Sequence, residues 1–461
     1  MNVATLSQDP RTSARDRSRR THLYLVLEGG RPTANGLRLG LDGVSEVRLG
    51  RGEGRRVHRG EDATGKFAEL TLPDGWMSSK HARLVRAVGQ WMLEDQGAKN
   101  GTWSGGARVT HLPLVDGARF IVGRSLFLFR TSEPAPEDAP LDVNGAELST
   151  FPALRTLKPA LAAELATLAQ IAPTDVPVLL VGESGTGKEL AARAIHALSK
   201  RPGAFIGVNA AALPRPLLES QLFGHKKGAF TGADEDREGL LRASHQGTFF
   251  LDEVGDLPLE AQPALLRALQ EKEVTPVGSS RALAVDLRVV SATHERLSEL
   301  SQSGRFRPDL LSRLKGLELT LPPLRERPED LGLLIAALLE KALDGKAAPA
   351  FSVEVVEALS AWHWPLNTRE LEQVLTTALA LCAGKTVQLE HLPPELREQK
   401  AAKPRAPSPL SAEDEEKKLR LVALLQQHQG NISAVARAMG KERMQIQRWL
   451  KRYGLAIETF R

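Results

Sequence analysis

Apolar positions along the chain follow three regimes. Up to about Thr131 they come in short runs, such as Leu23–Leu27, Trp91–Leu93 and Leu126–Phe129, separated by Gly-rich turns. Short runs punctuated in this way predict strands, and their spacing predicts a β-sandwich. In the middle of the chain, apolar strands such as Val176–Val181 alternate with amphipathic helices, which predicts a parallel sheet. The last part is short and helical: Leu419, Val422 and Leu425 fall at helical spacing within Glu415–Gln427, and a further helix is predicted from about Arg443 to Tyr453 with Ile446 and Leu450 facing the core. Two stretches, Ser132–Pro140 and Arg397–Pro409, are Pro-rich and have neither period, so they are expected to be flexible linkers.

Bulk properties add limits. A chain of 461 residues is too long for one core and suits three or so domains. With 42% hydrophobic and 25% charged residues the composition is that of a globular protein. No apolar run approaches the roughly 18–20 residues of a bilayer span, so no membrane partner is expected. Met1 to Arg20 is polar and basic and lacks a signal core. The single cysteine, Cys382, excludes an intramolecular disulfide, and a cytoplasmic location is expected. The net charge of +5 is small, but residues 431–455 hold Arg437, Lys441, Arg443, Arg448, Lys451 and Arg452 against Glu442 alone. That patch suits either an anionic polymer such as DNA or a solvated helix face.

Chemistry concentrates in the middle part. After the Val176–Val181 strand comes Gly182-Glu183-Ser184-Gly185-Thr186-Gly187-Lys188-Glu189, and then a predicted helix over Leu190–Leu198. Glycines here let backbone N–H groups wrap a polyphosphate, the helix adds its positive N-terminus, and Lys188 reaches the outer phosphates. Position 189 is Glu where Ser or Thr usually helps hold magnesium, so the metal depends more on other groups. A second apolar strand, Thr248–Leu251, delivers Asp252 and Glu253 at its C-terminal end, where α/β sheets bind ligands. Asp252 is expected to hold Mg2+ and Glu253 to polarise the attacking water in nucleotide hydrolysis.

The segment from about Leu148 to Leu396 resembles the AAA+ domain of sigma-54-dependent activators, the bacterial enhancer-binding proteins. The resemblance rests on GESGTGKE, including Glu189, and on ESQLFGHKKGAFTGA from Glu219 to Ala233. It implies that Gly228, Ala229, Phe230, Thr231, Gly232 and Ala233 form a sigma-contacting loop. The residues themselves suit that role: a mobile Gly/Ala tip carries an exposed aromatic anchor and a hydroxyl. By the same resemblance Asn209 holds Glu253 and relays nucleotide state. Thr293 and His294 fall at the first sensor, where the family usually shows Asn at position 294. Arg307 and Arg313 would be presented to a neighbouring subunit's ATP, which implies a ring, a hexamer in the family. Pro322–Leu331 resembles the join to a helical lid, and Trp364–Leu371 resembles the second sensor, with Arg369 touching the phosphates and Leu366 in place of a usual Gly. Core packing explains Trp364 and Leu371 equally well.

Toward the C-terminus, Asn431 can cap a short helix and Gly440 can make a tight turn. Arg443, Met444, Gln445 and Arg448 would face outward on the second helix, as the residues that reach a major groove do. The segment resembles a Fis-type helix-turn-helix, with Lys441 where an apolar residue is common. The first part, about His22 to Arg130, resembles a forkhead-associated domain, through Leu49-Gly50-Arg51, Ser78-Ser79-Lys80-His81 and Asp95 to Trp103. That likeness implies a phosphothreonine protein or peptide as ligand. Arg51 and Ser78 would hold the phosphate, Ser79 and Lys99 would flank it, Asn100 would bind the peptide backbone, and His81 would brace the loop. Ala98 and Gly105 replace a common Ser and Asn.

The expected architecture is therefore multidomain. A forkhead-associated β-sandwich over 22–131 is followed by a linker (132–147) and an AAA+ α/β ATPase subdomain (148–321). A helical lid (322–396), a second linker (397–412) and an all-α helix-turn-helix domain (413–461) complete it. The expected function is ATP-driven remodelling of the sigma-54 RNA polymerase holoenzyme from upstream enhancer DNA, under phosphothreonine control. Two other readings are a phosphopeptide-binding adaptor whose ATPase serves another machine, and a DNA-bound repressor with a vestigial motor.

Overall fold

The computed structural model describes residues 17–87, 89–214 and 217–398 and, toward the C-terminus, 421, 424, 425, 428, 431–441 and 443–453. The chain divides into two compact units, Met1–Ala402 and Lys403–Arg461.

The first unit begins with a sandwich. Its strands are β1 (Arg17–Glu28), β2 (Leu37–Gly40), β3 (Glu46–Arg51), β4 (Arg56–Asp62), β5 (Gly65–Leu72), β6 (Ala82–Ala87), β7 (Gln90–Asp95), β8 (Thr102–Ser104), β9 (Ala107–Val109), β10 (His111–Leu114), β11 (Arg119–Val122), β12 (Ser125–Pro136) and β13 (Val143–Asn144). One sheet runs β13-β2-β1-β12-β11-β8-β9 and the other β10-β7-β6-β3-β5-β4. Leu23, Leu25, Phe120, Phe127 and Phe129 point between the sheets and bury against Val47, Leu70, Leu84 and Leu93. Alternation should leave the next residues wet. Instead Tyr24, Val26, Ile121, Leu126 and Leu128 are also buried, on the other face. A register shift between Leu25 and Leu27 turns Leu27 to that face as well.

The stretch Ser132–Pro136 differs from the flexible linker expected there. It continues β12 and pairs with the start of β1, from Arg17↔Pro136 to Arg20↔Glu133. Glu133 anchors it by accepting from the Tyr24 hydroxyl at 2.6 Å and lying 2.9 Å from His22 Nδ1. Pro and acid look like linker composition, but partners more than a hundred residues away decide the structure.

The α/β core follows. Its main sheet is all parallel, with β14 (Val178–Val181), β15 (Phe205–Asn209), β18 (Thr248–Asp252), β21 (Arg288–Thr293) and β22 (Leu317–Thr320) in the order β15-β18-β21-β14-β22. Two short hairpins, β16 (Gly224–His225) with β17 (Arg237–Glu238) and β19 (Glu273–Val274) with β20 (Leu283–Ala284), stand beside it. Its helices are α1 (Pro159–Ile171), α2 (Lys188–Ser199), α3 (Leu218–Phe223), α4 (Leu240–Ala243), α5 (Gln262–Glu271), α6 (Leu297–Gln302) and α7 (Pro308–Leu314). Apolar clusters lie on both sides of the sheet, Leu161, Leu180, Ile195 and Val290 in one and Leu179, Phe249, Leu265 and Leu310 in the other.

The lid comprises α8 (Leu331–Leu343), α9 (Val353–Ala361), α10 (Asn367–Cys382) and α11 (Pro394–Glu398). Its apolar faces join the outer face of the first sandwich sheet in one core. In the second unit, α12 (Ile432–Met439) and α13 (Arg443–Tyr453) pack Val435, Ala436, Ile446 and Leu450 against Leu421 and Leu425. Leu419 and Val422 lie outside the described residues.

Candidate functional site

The P-loop joins β14 to α2. Gly185 and Gly187 take left-handed backbone (φ 78° and 101°), and α2 starts at Lys188. Lys188 is buried, and its Nζ donates to Gly182 O at 2.7 Å and Glu183 O at 3.3 Å. Thr186 is buried too and donates to Glu183 O. Glu189 turns to solvent and pairs with Arg193 one turn on, so its side chain is not directed into the cradle.

β18 lies two strands from β14 and ends in the acids. Burial, and then the neighbouring Glu253 charge, push the Asp252 carboxyl above its ordinary range. Its Oδ1 is buried without a hydrogen-bond partner. A buried carboxylate oxygen lacking a donor fits a divalent cation, which would supply the missing charge. Among the described residues no group of three or more His, Cys, Asp or Glu forms a ready metal cage.

Glu253 sits in the left-handed region (φ 50°), unusual for a residue with a Cβ. Its Oε1 is 3.5 Å from Lys188 Nζ. Its Oε2 accepts from the His294 backbone N–H at 3.2 Å and lies 2.6 Å from His294 Nδ1. Burial pushes the Glu253 carboxyl up, but the His294 hydrogen bond and the Lys188 charge outweigh it and hold it low. The same hydrogen bond raises His294. Thr293, at the end of β21, is buried, and its Oγ1 accepts from Glu295 N. Asn209, expected to hold Glu253, does not: it stands opposite Asp252 in the sheet register and its Oδ1 accepts from Ala211 N at 2.9 Å.

The lid closes over the P-loop by polar contacts. Arg369 Nη1 lies 3.2 Å from Ser184 Oγ, and Thr368 N donates to Gly185 O. A Cβ on Gly185 would come within 2.3 Å of Leu366 O, so the two backbones touch. Leu366 keeps its side chain exposed, and Trp364 is core, 2% exposed. Three residues that sequence reasoning passed over organise this seam. Asn367, fully buried and itself left-handed (φ 56°), donates to Ser184 O and Glu183 Oε2 and accepts from Leu324 N. Arg325 forms a two-pronged pair with Glu183, and that hydrogen bonding holds the Glu183 carboxyl down at about 2. Arg327 is buried and donates to Thr186 O. A polar residue beside a Trp-Pro turn was the only sequence signal for Asn367.

Arg307 is the N-cap of α7 and Arg313 lies in its last turn. Arg307 is exposed and pairs only with Asp309 two residues on, while Arg313 donates to Leu269 O. The Gly228–Ala233 tip is closed by Gly228 N to Ala233 O and Ala233 N to Phe230 O, and rests on the β16–β17 hairpin. Phe230 is 37% exposed, with its ring 5.0 Å from that of His225. Thr231 is exposed.

In the sandwich, Arg51, Ser78, Ser79, Lys99 and Asn100 come together on loops at one end. Arg51 N donates to Ser78 O, and Lys99 N to Ser78 Oγ. Asn100 donates to Trp76 O, and Arg124 stacks on the exposed Trp76 ring. His81, fully buried, accepts from Ser78 N and bridges to Gly101 O, so it ties both loops; burial lowers it, which favours the neutral ring. Among the described residues the Arg51 guanidinium has no protein partner. In the second unit Asn431 Oδ1 caps α12 and Gly440 ends it in left-handed backbone. Arg443, Met444 and Gln445 are exposed on the first turn of α13; the Arg448 side chain lies outside the described residues.

Family comparisons match four segments in order. They are an FHA domain at residues 47–123, a sigma-54 interaction domain at 154–320, an AAA+ ATPase lid domain at 325–409 and a homeodomain-like domain at 412–456. The response regulator protein PilR of Pseudomonas aeruginosa is 40% identical over 411 residues, 84% of this chain and 88% of PilR. The chain belongs to the sigma-54-dependent transcriptional regulators. Regulatory protein AtoC of Escherichia coli is 42% identical over 298 residues, covering 62% of this regulator and 64% of AtoC. The chain thus spans somewhat under two thirds of that relative. Among solved structures, NtrX from Brucella abortus in complex with ATP superposes with TM-score 0.48 at 32% identity, over 67% of this regulator and 69% of that chain. Among the described residues no helix is long and apolar enough to cross a membrane.

Proposed function

We propose that this regulator hydrolyses Mg-ATP to remodel a closed sigma-54 RNA polymerase complex, from DNA bound by its C-terminal helices, under control of a phosphothreonine ligand. One observation carries the reading: a single subdomain holds both a phosphate cradle with two strand-end acids and an extruded Phe230 tip on a hairpin. Lys188 and the P-loop N–H groups bind and orient the phosphates. Asp252 would hold magnesium, which supplies positive charge where the transferring group becomes more negative. Glu253 orients water for attack, and Arg369 reaches the phosphates from the lid. Arg307, exposed and paired only within its own loop, and Arg313 suit a neighbouring subunit's nucleotide, so a ring completes the site; a hexamer is the family's form.

Arg51 and Ser78 suit a phosphate, and Ser79, Lys99 and Asn100 suit the peptide around it. What supports control of turnover by that ligand is the shared core of the sandwich and the lid, because the lid carries Arg369. Arg443, Met444 and Gln445 suit base edges, and salt should weaken DNA binding steeply. The reading places the protein in the cytoplasm with its polymerase.

The test uses the full chain, sigma-54 holoenzyme and enhancer DNA. Thr231→Ala should keep ATPase activity while open-complex formation is lost. Glu253→Gln should lower turnover by about a hundredfold or more. Normal transcription from the Thr231→Ala protein, with ATPase intact, would overturn the assignment of the tip.

A further inference from the structure

The Glu253 carboxylate is held by more than the charge of its neighbours. Residue 294 supplies both the backbone N–H and the imidazole Nδ1 to one oxygen, Oε2, at 3.2 and 2.6 Å. Two donors on one carboxylate oxygen occupy its lone pairs. The backbone of Glu253 lies in the left-handed region, which is uncommon for a residue with a Cβ. Lys188 engages the other oxygen. Its Nζ donates to Gly182 O and Glu183 O and stands 3.5 Å from Glu253 Oε1, a charge contact longer than either hydrogen bond. Among the described residues the hydrogen bonds to the Glu253 carboxylate come from residue 294. Among the described residues Asn209 makes no hydrogen bond to Glu253: its Oδ1 accepts from Ala211 N, and the sheet register sets it opposite Asp252. The imidazole is half-exposed, with room to swing away.

We infer that His294 is a positioning residue that restrains the Glu253 carboxylate, and that turnover requires the imidazole to let go. The inference rests on Glu253 being the group that polarises water. A carboxylate capped on Oε2 accepts water poorly at that oxygen. Release restores the lone pairs. The restraint is particular to a His at 294, since a shorter side chain there reaches the carboxylate less far.

Steady-state ATPase assays on the full chain with Mg-ATP test this, reading kcat and KM separately. His294→Ala should raise kcat by roughly threefold or more while KM moves by less than about twofold, the signature of a group that acts on the chemical step. His294→Gln keeps an N–H within reach and should fall between wild type and Ala, a graded recovery that a merely structural role would not give. A kcat for His294→Ala at or below wild type overturns the restraint. Should that variant fail to bind a fluorescent ATP analogue, His294→Gln decides: kcat above wild type supports the inference, and kcat at or below it overturns it. Glu253→Gln separates the two claims. If it still turns over, the assignment of the base is wrong. If it is dead and neither His294 variant gains, only the restraint is wrong.

Discussion

The lid has two seams, and they are built from opposite materials. Toward the sandwich it shares an apolar core, in which Tyr24, Val26, Leu27, Leu126 and Leu128 bury against Leu331, Leu339, Phe351, Val355 and Leu359. Toward the P-loop it offers Arg325, Arg327, Asn367 and Arg369, all in hydrogen bonds, and neither apolar cluster of the α/β core contains a residue beyond Leu321. An apolar seam resists sliding because separation exposes area to water, at about 25 cal/mol per Å2. A polar seam can exchange one partner for another, or for a phosphate, at small net cost. The difference teaches which joint should hinge: sandwich and lid move as one body, and the P-loop side opens. Leu157 belongs to the lid–sandwich core, pinned by Arg38 from one side and Asp330 from the other. Under the proposed function, a phosphopeptide at the sandwich loops and a nucleotide at the P-loop would act on the same piece.

The apolar seam carries a buried ion pair, and breaking it should have the largest effect. Arg130 Nε donates to Glu329 Oε1 at 2.6 Å, and Glu329 is fully buried with its other oxygen unpartnered. Arg130→Ala leaves that carboxylate uncompensated and should cost about 3–5 kcal/mol. Differential scanning calorimetry should then show the sandwich melting apart from the lid; a single unshifted transition would mean the two are not joined here. Gly332→Ala attacks the same seam sterically. A Cβ at Gly332 would lie 1.8 Å from Val26 O, a backbone atom that cannot turn aside. Helix α8 must shift from β1, at about 1–3 kcal/mol. Amide exchange should rise in β1 and β12 and stay unchanged in β14 and β18.

Much of the catalytic side was legible in the sequence because its chemistry is local. The strand, six-residue loop and helix of the P-loop are contiguous, and the two acids follow a single apolar run. The apolar seam was not read, although its signal was present. LYLVL and LFLF are unbroken apolar runs where a sandwich strand with one wet face should alternate, and that continuity marks burial on both faces. The linker expected at Ser132–Pro140 failed over Ser132–Pro136 because the partners of Glu133, His22 and Tyr24, are distant in sequence. Asn367 and Arg327 sit in Pro-containing stretches that read as surface turns; burial alone makes them structural, and burial of an isolated polar residue leaves no pattern.

The polar seam should respond weakly to the same treatment, and in a different observable. Arg325 and Glu183 are each more than two fifths exposed, so water screens their attraction and Arg325→Ala should change stability by no more than about 1 kcal/mol. Its effect belongs in nucleotide binding, since Glu183 also meets Asn367 and its carbonyl accepts from Lys188. The pair has a pH signature as well. Arg325 holds the Glu183 carboxyl at about 2, below its ordinary 4.5. A depressed acid contributes its full share above the unfolded value and loses it as pH falls through the folded one, so this contact fades between about 4.5 and about 2. Acid titration of stability should therefore be slightly steeper in wild type than in Arg325→Ala within that window, with the curves parallel above it. A gap that persists unchanged down to the lowest pH would show that Arg325 stabilises by packing, and the P-loop seam would then be less able to open than its polar composition implies.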